Sequence, residues 1–246
     1  TPTPIDEITM GTLSRSVERE GGRLRVISDP ASLLACSEMQ AKSDRLRFLV
    51  PSVHASMLAE LRWPGRDPLE EGLDVRTLEM DAAGFAAMGL VSRPDVMAHL
   101  ADWRAGSALG LRAKAAILTS SAVVLVTVPR PDSSWYVRGG AAMEGFWLTA
   151  EAEGLAVQPA APLFIYAIDD ADLRALVGDR YLDETHGLQS QFREFWGLEG
   201  AEAPVMLMRV LHAPPASVHS IRKPLGEVLT RNGSSPHTPP ISAQNM

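Results

Sequence analysis

The stretch Tyr136–Pro159 reads YVRGGAAMEGFWLTAEAEGLAVQP, and the rest of the chain is organised around it. It opens with the glycine pair Gly139-Gly140 and continues as a helix with Gly145 as its one internal breaker. Ala142, Phe146, Thr149, Ala150 and Glu153 recur at three- and four-residue steps, so they share one side of that helix. Gly154 can supply the left-handed residue that ends it. The chain then leaves as the apolar run Leu155-Ala156-Val157-Gln158, closed by Pro159. Small residues on one helix face point to close packing, so the residues alone favour a core helix followed by a buried strand. A helix, a glycine stop, a short extended run and a proline are also a rigid way to present backbone to a ligand.

Working outward, Ala122–Val128 (AVVLVTV) is a continuous apolar run and the best candidate for a buried central strand. Ala203–Ala213 (APVMLMRVLHA) is a second strong strand, and Leu24–Ser28 a short one stopped by Asp29-Pro30. Helical periodicity runs through Leu33, Leu34, Cys36 and Met39, and again through Met57, Leu58 and Leu61. Asp81 begins a small-residue helix through Met88, and Pro94 sits in the first turn of the next one. Two helices are predicted over 171–177 and 185–196, and Asp74–Leu78 is predicted to be extended. Strands interleaved with helices define a mixed α and β domain over residues 23–230. Residues 1–22 read as an irregular N-terminal segment, and 231–246, rich in Pro, Ser and Asn, as a flexible tail.

Composition narrows the function. The chain has 246 residues, is 46% hydrophobic and carries a formal net charge of -7. Its sequence pI is about 5.4 and its mean hydropathy is -0.00. An acidic balance argues against nucleic acid as a partner, because phosphate neutralisation needs clustered Lys and Arg. No stretch reaches the roughly 18 apolar residues of a membrane span. The start, TPTPIDEITM, has neither the basic nor the apolar region of a signal peptide. Cys36 is the single cysteine, which excludes an intrachain disulfide and suits a reducing cytoplasm. Its apolar helical setting favours a buried structural thiol.

The motif in the opening stretch resembles the nitroreductase family: Gly139 and Gly140, then Trp147, Leu148 and Ala150, then Gly154, Leu155, Gln158 and Pro159. The ending S-I-R-K-P-L-x-E-V-L at 220–229 is similar to the R-R-P-L-x-E-V-L ending of an actinobacterial-type branch. That branch also carries segments like Leu61-Arg62-Trp63 and Arg76–Met80, and some of its members are fused to an adenylating domain resembling ubiquitin-activating enzymes. The resemblance covers roughly Asp74–Leu229. It implies an α+β fold, a central mixed sheet flanked by helices, and a homodimer with the 140–153 helix crossing its core. It implies a flavin mononucleotide (FMN), with NAD(P)H as electron donor and a quinone, nitroaromatic or similar small molecule as acceptor. The backbone of Ala156, Val157 and Gln158, followed by Pro159, would lie against the flavin ring, and Arg222 and Lys223 would hold the phosphate. A flavin carries its own redox chemistry, which agrees with the lack of any visible catalytic triad.

One element of the family pattern has no counterpart. Near the N-terminus the family carries a serine/arginine phosphate segment and a P-S-x-x-N-x-Q-P-W loop that lines the flavin. Ser14-Arg15-Ser16 matches the first feebly, and nothing matches the second. Either the branch has lost the loop, or a piece is missing between about Met10 and Val17. That departure supports an alternative: a non-catalytic flavin store or dimerisation module on the same fold, part of a larger chain.

Other chemistry is weaker. The six histidines show no H-E-x-x-H spacing, so no metal site is expected. Ser120-Ser121 lacks the G-x-S-x-G frame of a nucleophile elbow. Asp169, Asp170 and Asp172 read as the acidic start of a helix rather than a cation site. Asp44, Arg45 and Arg47 read as a solvated helix face.

Overall fold

A computed structural model describes residues 2–229. In chain order its elements begin α1 (Glu7–Glu18), β1 (Arg23–Ile27), α2 (Pro30–Leu49), α3 (Pro51–Glu60), β2 (Leu61–Arg62) and β3 (Leu73–Asp74). There follow α4 (Ala82–Val91), α5 (Pro94–Asp102), α6 (Leu111–Leu118), β4 (Ala122–Val128), α7 (Ser133–Ala152) and β5 (Ala156–Pro159). The chain then forms α8 (Asp170–Phe195), β6 (Ala203–Leu211) and α9 (Leu225–Val228). In place of one domain over 23–230, contacts separate two units. The first is Thr1–Ala59 with Ala82–Pro215, and the second is Glu60–Asp81 with Ala216–Met246.

The first unit is built on β4, which is buried at every position. Its side chains alternate between two covered faces, so valine, which fits a pleated surface, occupies four of its seven positions. The strand order is β1-β4-β6-β5, and all three pairings are antiparallel. The expected mixed sheet therefore resolves into an antiparallel four-stranded sheet and, in the second unit, a short parallel pair of β2 and β3.

One face of the sheet is sealed by α1 and α7. Leu13, Val17, Ala142, Phe146 and Ala150 pack there on Val124, Val126, Met208 and Val210. The 1–22 segment is thus not irregular: Asp6 caps α1 by accepting the Thr9 N–H at 2.9 Å, and Leu13 and Val17, four residues apart, are fully buried. The other face carries α2, α6 and α8 over Val123, Leu125 and Leu207. Phe164, Phe192 and Trp196 form an edge-to-face and tilted aromatic chain within this core.

The two helices expected over 171–177 and 185–196 are found as two helical stretches of α8 on either side of a kink at Gly178, where φ is 69° and ψ 170°, the second beginning earlier than expected. Asp169 caps it by accepting the Asp172 N–H, so the acidic cluster serves the helix start. In the second unit, Val75–Leu78 winds as a 3-10 turn rather than a strand, because Asp74 caps it through the Arg76 N–H at 2.9 Å. The tail 231–246 lies outside the described residues.

Candidate functional site

The end of α7 and the strand after it position the backbone that the sequence singled out. Helix α7 starts at Ser133, earlier than the glycine pair, because Asp132 accepts the Trp135 N–H at 3.0 Å. Gly139 and Gly140 therefore lie inside the helix. A Cβ on Gly139 would stand 2.6 Å from Val205 Cγ2 and 3.1 Å from Val128 Cγ1, so glycine lets α7 approach β4 and β6 closely. A Cβ on Gly140 would meet nothing within 4 Å.

At its other end α7 stops as the sequence predicts. Gly154 has φ 73°, its N–H donates to the Glu151 carbonyl at 3.0 Å, and the Leu155 N–H donates to the Ala150 carbonyl at 2.9 Å. These two bonds form a Schellman motif, and Leu155 and Ala150 are both buried beside it. The chain is released directly into β5, which pairs with β6 in the register Val157↔Val210 and Gln158↔Arg209.

β5 is the last strand of the sheet. The Ala160 N–H donates to the Leu207 carbonyl at 2.8 Å, which fixes the phase of the ladder. In an antiparallel pair the backbone groups alternate, so Ala156 and Gln158 turn theirs toward β6 and Val157 turns its own toward the outer edge. Pro159 has no N–H. Of the three residues expected to present N–H groups to a ligand, Val157 is the one whose donor points away from the sheet.

The side chains of Gln158 and Arg209 face the α2 and α6 side and open onto a cleft of about 320 Å³. Gln40, Asp44 and Arg47 reach it from α2, Arg112 from α6, and Ala160, Ala161 and Tyr166 from the segment after β5. Arg209 is held in place by polar neighbours. Its Nη1 donates to Gln158 Oε1 at 3.0 Å, its Nε to Ser120 Oγ at 3.2 Å and its Nη2 to Thr119 Oγ1 at 3.4 Å. These partners are two hydroxyls and one amide oxygen, with no carboxylate among them. Burial lowers the Arg209 pKa from its ordinary value.

Gln40 is only 4% exposed, and its Oε1 has no hydrogen-bond partner. Arg47 Nε lies 3.3 Å from Asp44 Oδ1, while its Nη2 donates to the Ala161 carbonyl at 2.7 Å. Burial pushes the Asp44 carboxyl up, and Arg47 beside it opposes that shift. Arg45 pairs with Glu184 at 3.0 Å. The cluster Asp44, Arg45 and Arg47 is therefore not a solvated face: it joins α2 to the loop after β5 and to α8.

Arg222 and Lys223 belong to the second unit, not to the unit that holds Ala156–Pro159. Lys223 is ion-paired with Glu71, a contact that raises its pKa. Arg222 is exposed. Ser14 and Ser16, from the segment weakly similar to a phosphate site, bond within α1, to Glu18 and to the Leu13 carbonyl. Cys36 is buried, and burial pushes its thiol up to about 12, so it stays protonated. Among the described residues no three His, Cys, Asp or Glu side chains gather as a metal site would need, and no helix is long and apolar enough to cross a membrane.

Gln40, Arg112 and Arg209 escape the sequence reading. Arg209 had a signal, a charged residue inside the apolar strand run VMLMRVL, but nothing in the sequence places it opposite Gln158.

No family model matches the chain. It is 37% identical over 224 residues to an uncharacterized protein of Mycobacterium tuberculosis, a match covering 90% of this chain and 31% of that protein. The chain thus spans about a third of the length of this relative. Among solved structures it is similar to a nitroreductase-like family protein from Bacillus cereus, with 13% identity, 95% and 89% of the two chains covered, and a TM-score of 0.46. An FMN-dependent nitroreductase from Clostridium difficile shows 10% identity, 96% and 91% coverage and a TM-score of 0.46. An FMN-dependent nitroreductase from Mycobacterium smegmatis, solved with NADPH, shows 16% identity, 94% and 90% coverage and a TM-score of 0.44.

Proposed function

We propose that the chain is an FMN-binding oxidoreductase of nitroreductase type, reducing a quinone, nitroaromatic or similar small acceptor with NAD(P)H. The observation that carries this reading is the release of α7 through the Gly154 Schellman motif into β5, which leaves the Val157 N–H on the outer edge of the last strand, next to Gln158, which lines the cleft. The cleft lies at the small end of the range for ligand sites, and Gln40, Arg112, Gln158 and Arg209 give it a polar lining. These features fit a planar heterocycle with polar edges. The flavin, when bound, supplies the hydride and electron chemistry. The protein's own part is to orient the ring and to place a donor, the Val157 N–H, where negative charge on a reduced ring would be stabilised.

The reading extends to a homodimer, a cytoplasmic location and membership of a longer protein. Val137 and Leu148, eleven residues apart on the outer side of α7, are both large, apolar and exposed, as a dimer-forming helix would need. Arg222 and Lys223 remain our candidates for the phosphate on the motif alone. Arg222→Ala is expected to weaken FMN binding more than Lys223→Ala, because Lys223 is already paired with Glu71.

The visible spectrum of the purified protein tests the reading first: flavin absorbance is expected, and NAD(P)H oxidation is expected when a quinone is added. One observation favours the second reading, a non-catalytic flavin-binding or dimerisation module. Residues 7–18 are fully used as α1 under α7, where the family places its flavin-lining segments. A yellow protein that fails to oxidise NAD(P)H with any acceptor would select that module, and a colourless protein that takes up no added FMN would remove flavin from both readings.

A further inference from the structure

The cleft beside β5 is unusually cationic for so acidic a protein. Three guanidinium groups, from Arg47, Arg112 and Arg209, line it against one carboxylate, Asp44, while the whole chain carries a net charge of -7. Asp44 is engaged by Arg47. Arg209 is half-buried and held on three sides by neutral groups, so its charge is not compensated by any side chain that touches it. A desolvated cation kept in place by hydroxyls and an amide is costly unless an anion completes it. Gln40 lines the same cleft, although its unpartnered Oε1 is itself shielded from solvent.

We propose that this cleft is an oxyanion-binding subsite, anchored by Arg209, for a small ligand bearing a carboxylate or phosphate. The planar guanidinium suits either oxyanion through paired N–H donors. The subsite deepens the flavin reading by naming the class of ligand that the same cleft takes, yet anion binding itself does not require that a flavin be bound.

The test is calorimetric titration of the whole purified chain with inorganic phosphate and with succinate, at low ionic strength and neutral pH. Saturable binding of at least one of them is expected. Arg209→Met should weaken it by roughly tenfold or more, the scale of one hydrogen bond to a charged group. Arg209→Lys should recover part of the affinity. Circular dichroism checks that each variant is folded. Should Arg209→Met fail to fold, Arg112→Met, on the outer helix α6, must show the same weakening. The titration is repeated on protein saturated with FMN. Phosphate binding that disappears identifies the cofactor's own phosphate as the occupant, and binding that persists identifies a separate anionic ligand. Absence of binding of either anion to the wild type, or equal affinity in wild type and folded Arg209→Met, overturns the proposal. Flavin content is read separately from the visible spectrum, so loss of the anion subsite and loss of the flavin reading are distinct results.

Discussion

The two faces of strand β6 differ in kind although they share one backbone. Met208 and Val210 point to the face sealed by α1 and α7, a dry cluster of small and apolar side chains. Leu207 and Arg209 point to the other, where residues of α2, α6 and the segment after β5 line a cleft that contains charged groups. A period of two separates these chemistries within a single strand. The sealed face is held by close approach, for which Gly139 and Ala142 are needed, and the other by the larger apolar cluster around Phe164, Phe192 and Trp196, with the polar cleft beside β5. Damage to the apolar clusters and damage to the polar cleft should therefore register differently.

The sharpest way to break this comparison is Phe146→Ala. Phe146 is fully buried on the sealed face, so its truncation is expected to remove about 3–5 kcal/mol of stability. Urea denaturation measures it, and a loss under about 1 kcal/mol would show that the sealed face does not anchor the fold.

Next comes the glycine pair. Gly139→Ala places a methyl within 2.6 Å of Val205 and is expected to cost about 1–3 kcal/mol. Its neighbour Gly140 has open space, so Gly140→Ala should instead stabilise α7, by about 0.5–1 kcal/mol through helix propensity. Equal effects from the two substitutions would contradict the close crossing of α7 over β4 and β6.

Gly154→Val tests the junction between the faces. The added side chain meets no neighbour, so the cost comes from backbone conformation at φ 73° alone, about 1–2 kcal/mol. Anion or flavin binding should weaken further than stability predicts, because β5 takes its exit angle from this residue.

The smallest effect is a pH dependence at the start of α7. The Ser134 hydroxyl and Arg130 beside Asp132, together with the Trp135 N–H, hold its carboxyl down at about 2. The folded value is below the unfolded one, so the stabilisation is present above the ordinary carboxylate range, near pH 4, and fades as pH falls toward 2. Asp132→Asn keeps an acceptor for the Trp135 N–H but cannot titrate, so its denaturation midpoint should vary less than that of wild type between pH 4 and pH 2.

Much of the scaffold was legible. AVVLVTV was the best candidate for a buried central strand, which β4 is, and Gly154 was placed to end α7, which it does at φ 73°. The α1 segment was missed because its apolar positions, Leu13 and Val17, are few among polar residues and acquire meaning only beneath α7. The break in α8 falls at Gly178, just after the expected end of the first helix at 177. Among the site residues, Ala156–Pro159 were visible as a motif, whereas the selection of Val157 over its neighbours depends on the phase of pairing with β6.

The sequence by itself determined that β4 is buried, where α7 ends, and that a short extended run follows it, because periodicity, glycine and proline act through nearest neighbours in the chain. Tertiary structure alone decided that Gln40, Arg112, Gln158 and Arg209, separated by up to 169 positions in the sequence numbering, line one cleft. Their common address arises from strand register and helix packing, and these are fixed by burial across the whole sheet rather than by anything local to the residues themselves.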